Sequence, residues 1–220
     1  PATRHDLADV VLNGKIPGLR SLVICLEDAV SDSDVEGGVE NLKELLANID
    51  RAGGRTRSDP VLFVRPRNIE MAKGLNDLQL IHHADGFVAP KLNLPTLQGW
   101  QQAMTNPSLM VMPTLETRDV FDPVAMVELR DALAETLKKK ILALRIGGND
   151  LMGCLGLRRS SSHTLYSPPM GYVIPMLAGI MGAAGFYLTA PVFERLDNDQ
   201  LFSEELELDL LNGLVGKTAI

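Results

Sequence analysis

Residues 141–150 read ILALRIGGND, an apolar run that stops at two glycines and then delivers Asn149 and Asp150. Three readings compete for this stretch: a phosphate-cradling glycine loop, a plain turn, or a place where a carboxylate is aimed at a ligand. A phosphate loop is the weakest of them. GGNDLMG (147–153) has neither the Gly-Lys-Ser/Thr ending of a P-loop nor the GxGxxG of a dinucleotide fold. The run before it, rich in aliphatic residues and short, reads as a strand buried on both faces.

The same pattern recurs along the chain. SLVICLE (21–27), VLFVRP (61–66), GFVAPK (86–91), LMVMPTLE (109–116) and GFYLTAP (185–191) are further strand candidates. Between them, VEGGVENLKELLANI (35–49), LPTLQGWQQAM (94–104), VAMVELRDALAETLKK (124–139) and SEELELDLLNGLV (203–215) carry helical periodicity. Doubly buried strands alternating with amphipathic helices indicate a parallel sheet wrapped by helices. A doubly wound open sheet and a (β/α)8 TIM barrel both fit that alternation. The strand ends favour the barrel: Glu27-Asp28, Arg65, Lys91, Glu116 and Asp150 all follow apolar runs. In a barrel every strand C-terminus faces one rim, so these groups converge; in an open sheet only those near the switch point meet.

A length of 220 residues with 45% hydrophobic and 22% charged side chains suits one domain spanning 1–220. Six strands are clear and KTAI (217–220) reads as the start of another, while PATRHDLADVVL (1–12) reads as the loop and helix after a missing strand. The expectation is a barrel cut at both ends. GYVIPMLAGIMGAAGFYLTAP (171–191), interrupted by Pro175 and glycines, reads as a buried helix and strand, not as a membrane span of ~20 residues. A net charge of −7 argues against nucleic acid as the main partner. Cys25 and Cys154, without metal-ligand spacing, suit a reduced cytoplasmic setting. RRSSSHTLYSPPMG (158–171) is the one unusual loop, with room to be a lid or to carry specificity.

Glu116 and Asp150 stand 34 positions apart, about one βα unit, each at a strand end. Two carboxylates with waters and substrate oxygens around them suit Mg²⁺; the bland alternative is a pair of solvated loop acids. Gly147 and Gly148 then serve a sharp turn and a close backbone approach to a ligand. Arg65 can clamp a carboxylate bidentately or pair with Glu27, and the two roles are compatible. Of Glu27 and Asp28, one can face the site while the other caps the next segment. Lys91 suits an electrostatic role better than a Schiff base, which needs an apolar pocket. Arg4 and His5 could reach the rim. Arg67 reads as a surface residue, Asn68 equally as a helix cap or a ligand, and His82 and His83 as the exposed end of a helix.

LEDAV (26–30), VRPRN (64–68), APK (89–91), PTLET (113–117) and GGNDL (147–151), in this order and spacing, resemble the citrate lyase β-subunit-like family of the HpcH/HpaI aldolase superfamily. PATRH (1–5) and GLVGKTAI (213–220) extend the resemblance over nearly the whole chain. It implies a TIM-barrel carbon–carbon lyase or aldolase dependent on Mg²⁺, or Mn²⁺, held by Glu116 and Asp150. It implies that Arg65 binds the substrate's oxo-acid end, that Glu27 and Asp28 lie near the metal, and that Lys91 joins them in catalysis. Arg4, Pro113, Thr114, Leu115, Gly147 and Gly148 would line the substrate. That substrate would be a small 2-oxo or hydroxy acid or its acyl-CoA thioester, opened through a metal-stabilised enolate, in a homo-oligomer. Two alternatives keep the scaffold: thioester hydrolysis, and a non-catalytic ligand-binding or assembly subunit. GFYLTAP departs from the family's pattern, with Ala190 or a neighbour standing where an aspartate is usual.

Overall fold

The computed structural model describes residues 1–195 and 197–216. Its elements follow one another as α1 (Leu7–Leu12), β1 (Ser21–Cys25), α2 (Val35–Arg51), β2 (Val61–Arg65), α3 (Ile69–Asn76), β3 (Gly86–Ala89) and α4 (Leu94–Ala103). Then come β4 (Met110–Leu115), α5 (Pro123–Thr136), β5 (Leu144–Ile146), α6 (Gly148–Cys154), α7 (Met170–Ala183), β6 (Leu188–Thr189) and α8 (Asp199–Leu211). All six expected strands are present, each shorter than its apolar run. The strand expected at 217–220 lies outside the described residues.

The strand order is the chain order, β1-β2-β3-β4-β5-β6, with no reversal. A doubly wound sheet must reverse at its switch point, so this order and its parallel pairings are those of the TIM-barrel fold. Contacts divide the chain into two compact units: Pro1–Pro90 with Gly99–Val111, and Lys91–Gln98 with Met112 onward.

In the first unit, β1 and β2 pair in register from Ser21↔Val61 to Cys25↔Arg65. The amphipathic α2 buries Leu42, Leu45, Leu46 and Ile49, one helical face at i, i+3, i+4, i+7 spacing. Gly86 opens β3 because nothing larger fits. A Cβ there would lie 2.1 Å from the Met110 carbonyl oxygen and 2.7 Å from the Phe63 ring. Asp85 braces the same edge, accepting from Arg55 Nη2 and from the Leu62 amide, both at 2.6 Å.

In the second unit, Thr114↔Arg145 and Leu115↔Ile146 set the β4–β5 register, and Leu144↔Leu188 and Arg145↔Thr189 that of β5–β6. α5 buries Met126, Leu129 and Leu133, and α7 buries Val173, Ile174, Leu177 and Met181. The stretch 171–191 is therefore a buried helix, with Pro175 inside it, followed by a strand. Among the described residues no helix is long and apolar enough to cross a membrane.

Candidate active site

The first unit brings together the strand ends of β1 and β2. The Leu26 amide continues the ladder to the Arg65 carbonyl at 2.9 Å, which leaves Glu27 just past the last rung. Glu27 is buried, and its Oε2 pairs with Arg65 Nη2. Asp28 Oδ2 stands 3.4 Å from the same nitrogen but is largely exposed. Glu27 is thus the member of the acidic doublet that faces inward. A carboxylate so buried is tolerable only beside a cation, and it in turn fixes the guanidinium plane.

Arg67 corrects its sequence reading as a surface residue. Its Nη2 donates to the Val30 carbonyl at 2.6 Å and its Nη1 pairs with Asp32, so it staples down the segment after β1. Asn68 is a helix cap: its side chain accepts from the Met71 amide at 2.9 Å.

The second unit brings together the ends of β4 and β5. Glu116 follows Leu115 and is only 3% exposed, and its Oε1 accepts the Lys91 amide at 2.9 Å. Lys91 makes that donation from a left-handed backbone, φ 52°, the only non-glycine residue so placed among the described residues. The backbone of Lys91 thus meets Glu116, a contact that the sequence reading, made for its ammonium group, did not foresee. Gly147 lies flat against Glu116: a Cβ there would stand 2.4 Å from both Glu116 Cβ and Oε2. The Gly147 amide donates to Leu115 at 3.1 Å and carries the ladder one step beyond β5. Gly148 then starts α6, with Asp150 half-buried in its first turn. GGND is therefore the entry to a short helix as well as a turn, which the apolar periodicity of so few residues could not reveal.

Alternation along β4 puts Thr114 on the face that carries Glu116. Thr114 is 2% exposed, and its Oγ1 finds no hydrogen-bond partner among the described residues. Its cross-strand partner Arg145 and the next in the row, Thr189, extend a polar line over β4, β5 and β6. Arg145 escaped the sequence reading because it sits inside an apolar run instead of at its end. Pro113 and Leu115 are buried in β4, and a Cβ on Gly148 would meet Leu165 at 2.7 Å.

The remaining candidates lie elsewhere. Arg4 is exposed and clasps Asp6 through Nε at 2.8 Å and Nη2 at 2.7 Å. That hydrogen bond first, and Lys15 second, hold the Asp6 carboxyl well below the usual carboxylate range. His82 and His83 belong to a 3-10 turn, where His83 Nε2 meets Asp50 at 3.0 Å. Cys25 and Cys154 are free thiols.

Among the described residues no group of three or more His, Cys, Asp or Glu forms a cation site. A hard cation such as Mg²⁺ needs only one or two carboxylates beside waters and substrate oxygens. A buried Glu116, braced by an amide and lying against a glycine, with Asp150 delivered from the next strand end, suits that donor set.

Parallel strands in chain order, joined by helices, define the α/β-barrel class. The profile of C-C bond lyases of the TIM-barrel fold matches residues 1–220, and the chain belongs to that family. Its enzyme class is accordingly carbon–carbon bond lyase. Comparison by sequence with curated proteins finds no match. Among solved structures, RipC from Yersinia pestis is 18% identical with a TM-score of 0.62, over 90% of this chain and 81% of that one. The citrate lyase beta subunit from M. tuberculosis, solved with oxaloacetate and magnesium, is 17% identical with a TM-score of 0.63, over 91% and 81%. The Haloferax volcanii malate synthase in its pyruvate/acetyl-CoA complex is 16% identical with a TM-score of 0.70, over 90% of this chain but 57% of that one. At these identities the likeness is one of fold, and the chain spans little more than half the malate synthase.

Proposed function

We propose that this chain makes or breaks a carbon–carbon bond in a small 2-oxo or hydroxy acid, free or as its acyl-CoA thioester, with Mg²⁺ or Mn²⁺ held by Glu116 and Asp150. The observation that carries the reading is the packing of the buried Glu116 carboxylate on Gly147. Side-chain volume is given up there, at the entry to the Asp150 turn, so that a carboxylate can occupy the space. When bound, the cation supplies Lewis-acid withdrawal of electron density from a substrate oxygen, which stabilises charge on the carbon released by cleavage.

The protein's own groups have separate tasks. Glu116 offers a carboxylate already oriented by the Lys91 amide, so its rotamer need not be fixed when a ligand arrives. Arg65, oriented by Glu27, is the group suited to a substrate carboxylate, because a planar guanidinium matches the two oxygens of a carboxylate. Asp28 adds negative charge at the exposed side of that pair. Thr114 has a buried hydroxyl available for a substrate oxygen, and Gly147 and Gly148 allow close backbone approach. Arg4 is tied to Asp6, which makes it the least favoured of the substrate contacts. The magnesium, oxaloacetate, pyruvate and acetyl-CoA in the neighbours' complexes support this choice of ligands. Assembly as a homo-oligomer belongs to the reading and is checked by sedimentation.

The test is calorimetric titration of Mg²⁺ and Mn²⁺ with and without oxaloacetate, repeated on Glu116→Ala and Asp150→Ala. Saturable binding, tightened by the oxo acid and lost in both variants, is the expected result. Binding indifferent to both substitutions overturns the metal assignment.

A further inference from the structure

The long segment 158–171 is tied down, and its anchor points back at the Asp150 turn. Arg159 lies between three parts of the second unit. Its Nε donates to Asn149 Oδ1 at 3.1 Å, its Nη2 donates to the Val192 carbonyl, and its Nη1 stands 3.7 Å from Glu205 Oε1. Both partners of that ion pair are enclosed: the Arg159 side chain is 12% exposed and that of Glu205 only 2%. Glu205, on α8, also accepts the Leu165 amide on Oε2 at 2.9 Å. One turn further along α8, buried Asp209 accepts the Tyr166 hydroxyl at 2.9 Å. Asn149, in turn, donates to Glu194. Leu165 and Pro191 close over Gly148, whose added Cβ would meet them at 2.7 and 3.0 Å.

An arginine whose three nitrogens go to three different elements has little freedom left, and neither has anything bound to it. Asn149 is the residue immediately before Asp150, in a seven-residue helix too short to hold its own first turn rigidly. We propose that Arg159 is a positioning residue for Asp150: anchored by buried Glu205 and the Val192 carbonyl, it holds Asn149 and with it the turn that presents the carboxylate. The segment 158–171 is then a fixed wall of the site and not a lid. This inference rests on the assignment of Asp150 as a metal ligand. Outer contacts of this kind tune metal affinity by about 10–100-fold when removed.

Arg159 also neutralises a buried carboxylate, so its loss alone would destabilise the protein for a reason unrelated to Asp150. The experiment separates the two effects. Arg159→Gln, Glu205→Gln, the double variant and Asp150→Ala are compared by thermal melting, Mn²⁺ calorimetry and hydrogen exchange of the amides of residues 151–153, the first that close helical bonds onto the turn. Arg159→Gln is expected to melt earlier and to bind Mn²⁺ about tenfold more weakly. Adding Glu205→Gln removes the buried charge that Arg159 faces and is expected to restore the melting temperature, while Mn²⁺ binding stays weak and exchange at 151–153 stays fast. Recovery of Mn²⁺ affinity together with melting temperature, or unchanged exchange at the turn, overturns the proposal. If Asp150→Ala binds Mn²⁺ as wild type does, the metal assignment falls by itself. The exchange data then still decide whether Arg159 holds the turn: fast exchange in the double variant upholds that hold, and unchanged exchange overturns it.

Discussion

The backbones of Gly147 and Lys91 both meet the Glu116 carboxylate, and each makes a distinct prediction. Gly147→Ala introduces a methyl 2.4 Å from Glu116 Cβ and Oε2, against a buried side chain that has no room to retreat. The expected cost is about 1–3 kcal/mol, read as a shift in the urea midpoint, together with weakened Mg²⁺ binding. A variant as stable as wild type would show that the close approach is not tight. Lys91 holds φ 52° so that its amide reaches Glu116 at 2.9 Å. Lys91→Gly relieves that conformation and keeps the amide, so metal binding, read by calorimetry, is expected to stay intact. Lys91→Val forces a β-branched residue into the left-handed region and is expected to cost roughly 1–3 kcal/mol. Loss of metal binding in Lys91→Gly would move the role to the ammonium group.

At the scale of elements, α8 is the helix whose polar residues are buried for a purpose. Glu205 and Asp209 occupy successive turns of one face and hold the 158–171 segment by Leu165, Arg159 and Tyr166. Burial, then the charge of Asp209, raises the Tyr166 phenol well above its ordinary value of 10.0. In the unfolded chain the phenol ionises near that ordinary value, whereas in the folded protein it stays protonated to higher pH. The folded state therefore holds the extra proton, and stability contributed by Tyr166 is present below pH 10.0 and is lost as pH rises above it. Tyr166→Phe removes the ionisation, so the fall in urea midpoint above pH 10.0 is expected to be shallower than in wild type. Parallel alkaline limbs in the two proteins would place the phenol elsewhere than beside Asp209.

For the molecule as a whole, a cation that binds only the folded state adds to its stability by linkage. Mg²⁺ at a hundredfold excess over its dissociation constant should raise the unfolding free energy by about 2.7 kcal/mol. The expected result is a melting temperature that climbs with Mg²⁺ concentration in wild type and is flat in Asp150→Ala. An equal rise in both proteins would assign the effect to general ion binding.

The alternation of short apolar runs and amphipathic helices was legible in the chain because burial on both faces of a parallel strand demands unbroken hydrophobicity. That reading located all six strands and the helix within 171–191. The strand termini were legible for the same reason: a charged residue that ends such a run, as Glu27, Arg65 and Glu116 do, marks where the strand stops. Tertiary structure decided the rest. Arg145 sits within an apolar run, and only the Thr114↔Arg145 register shows that it shares a face with Glu116. Arg67 turned from a surface residue into a staple because its partners, the Val30 carbonyl and Asp32, come from another segment. Arg159 lay in a stretch whose composition says loop, and its partners Asn149, Val192 and Glu205 are distant in sequence or come from another element. Local sequence determines which residues must be buried and with what period. Which polar groups then meet depends on contacts between distant segments, and those exist only once the chain has closed on itself.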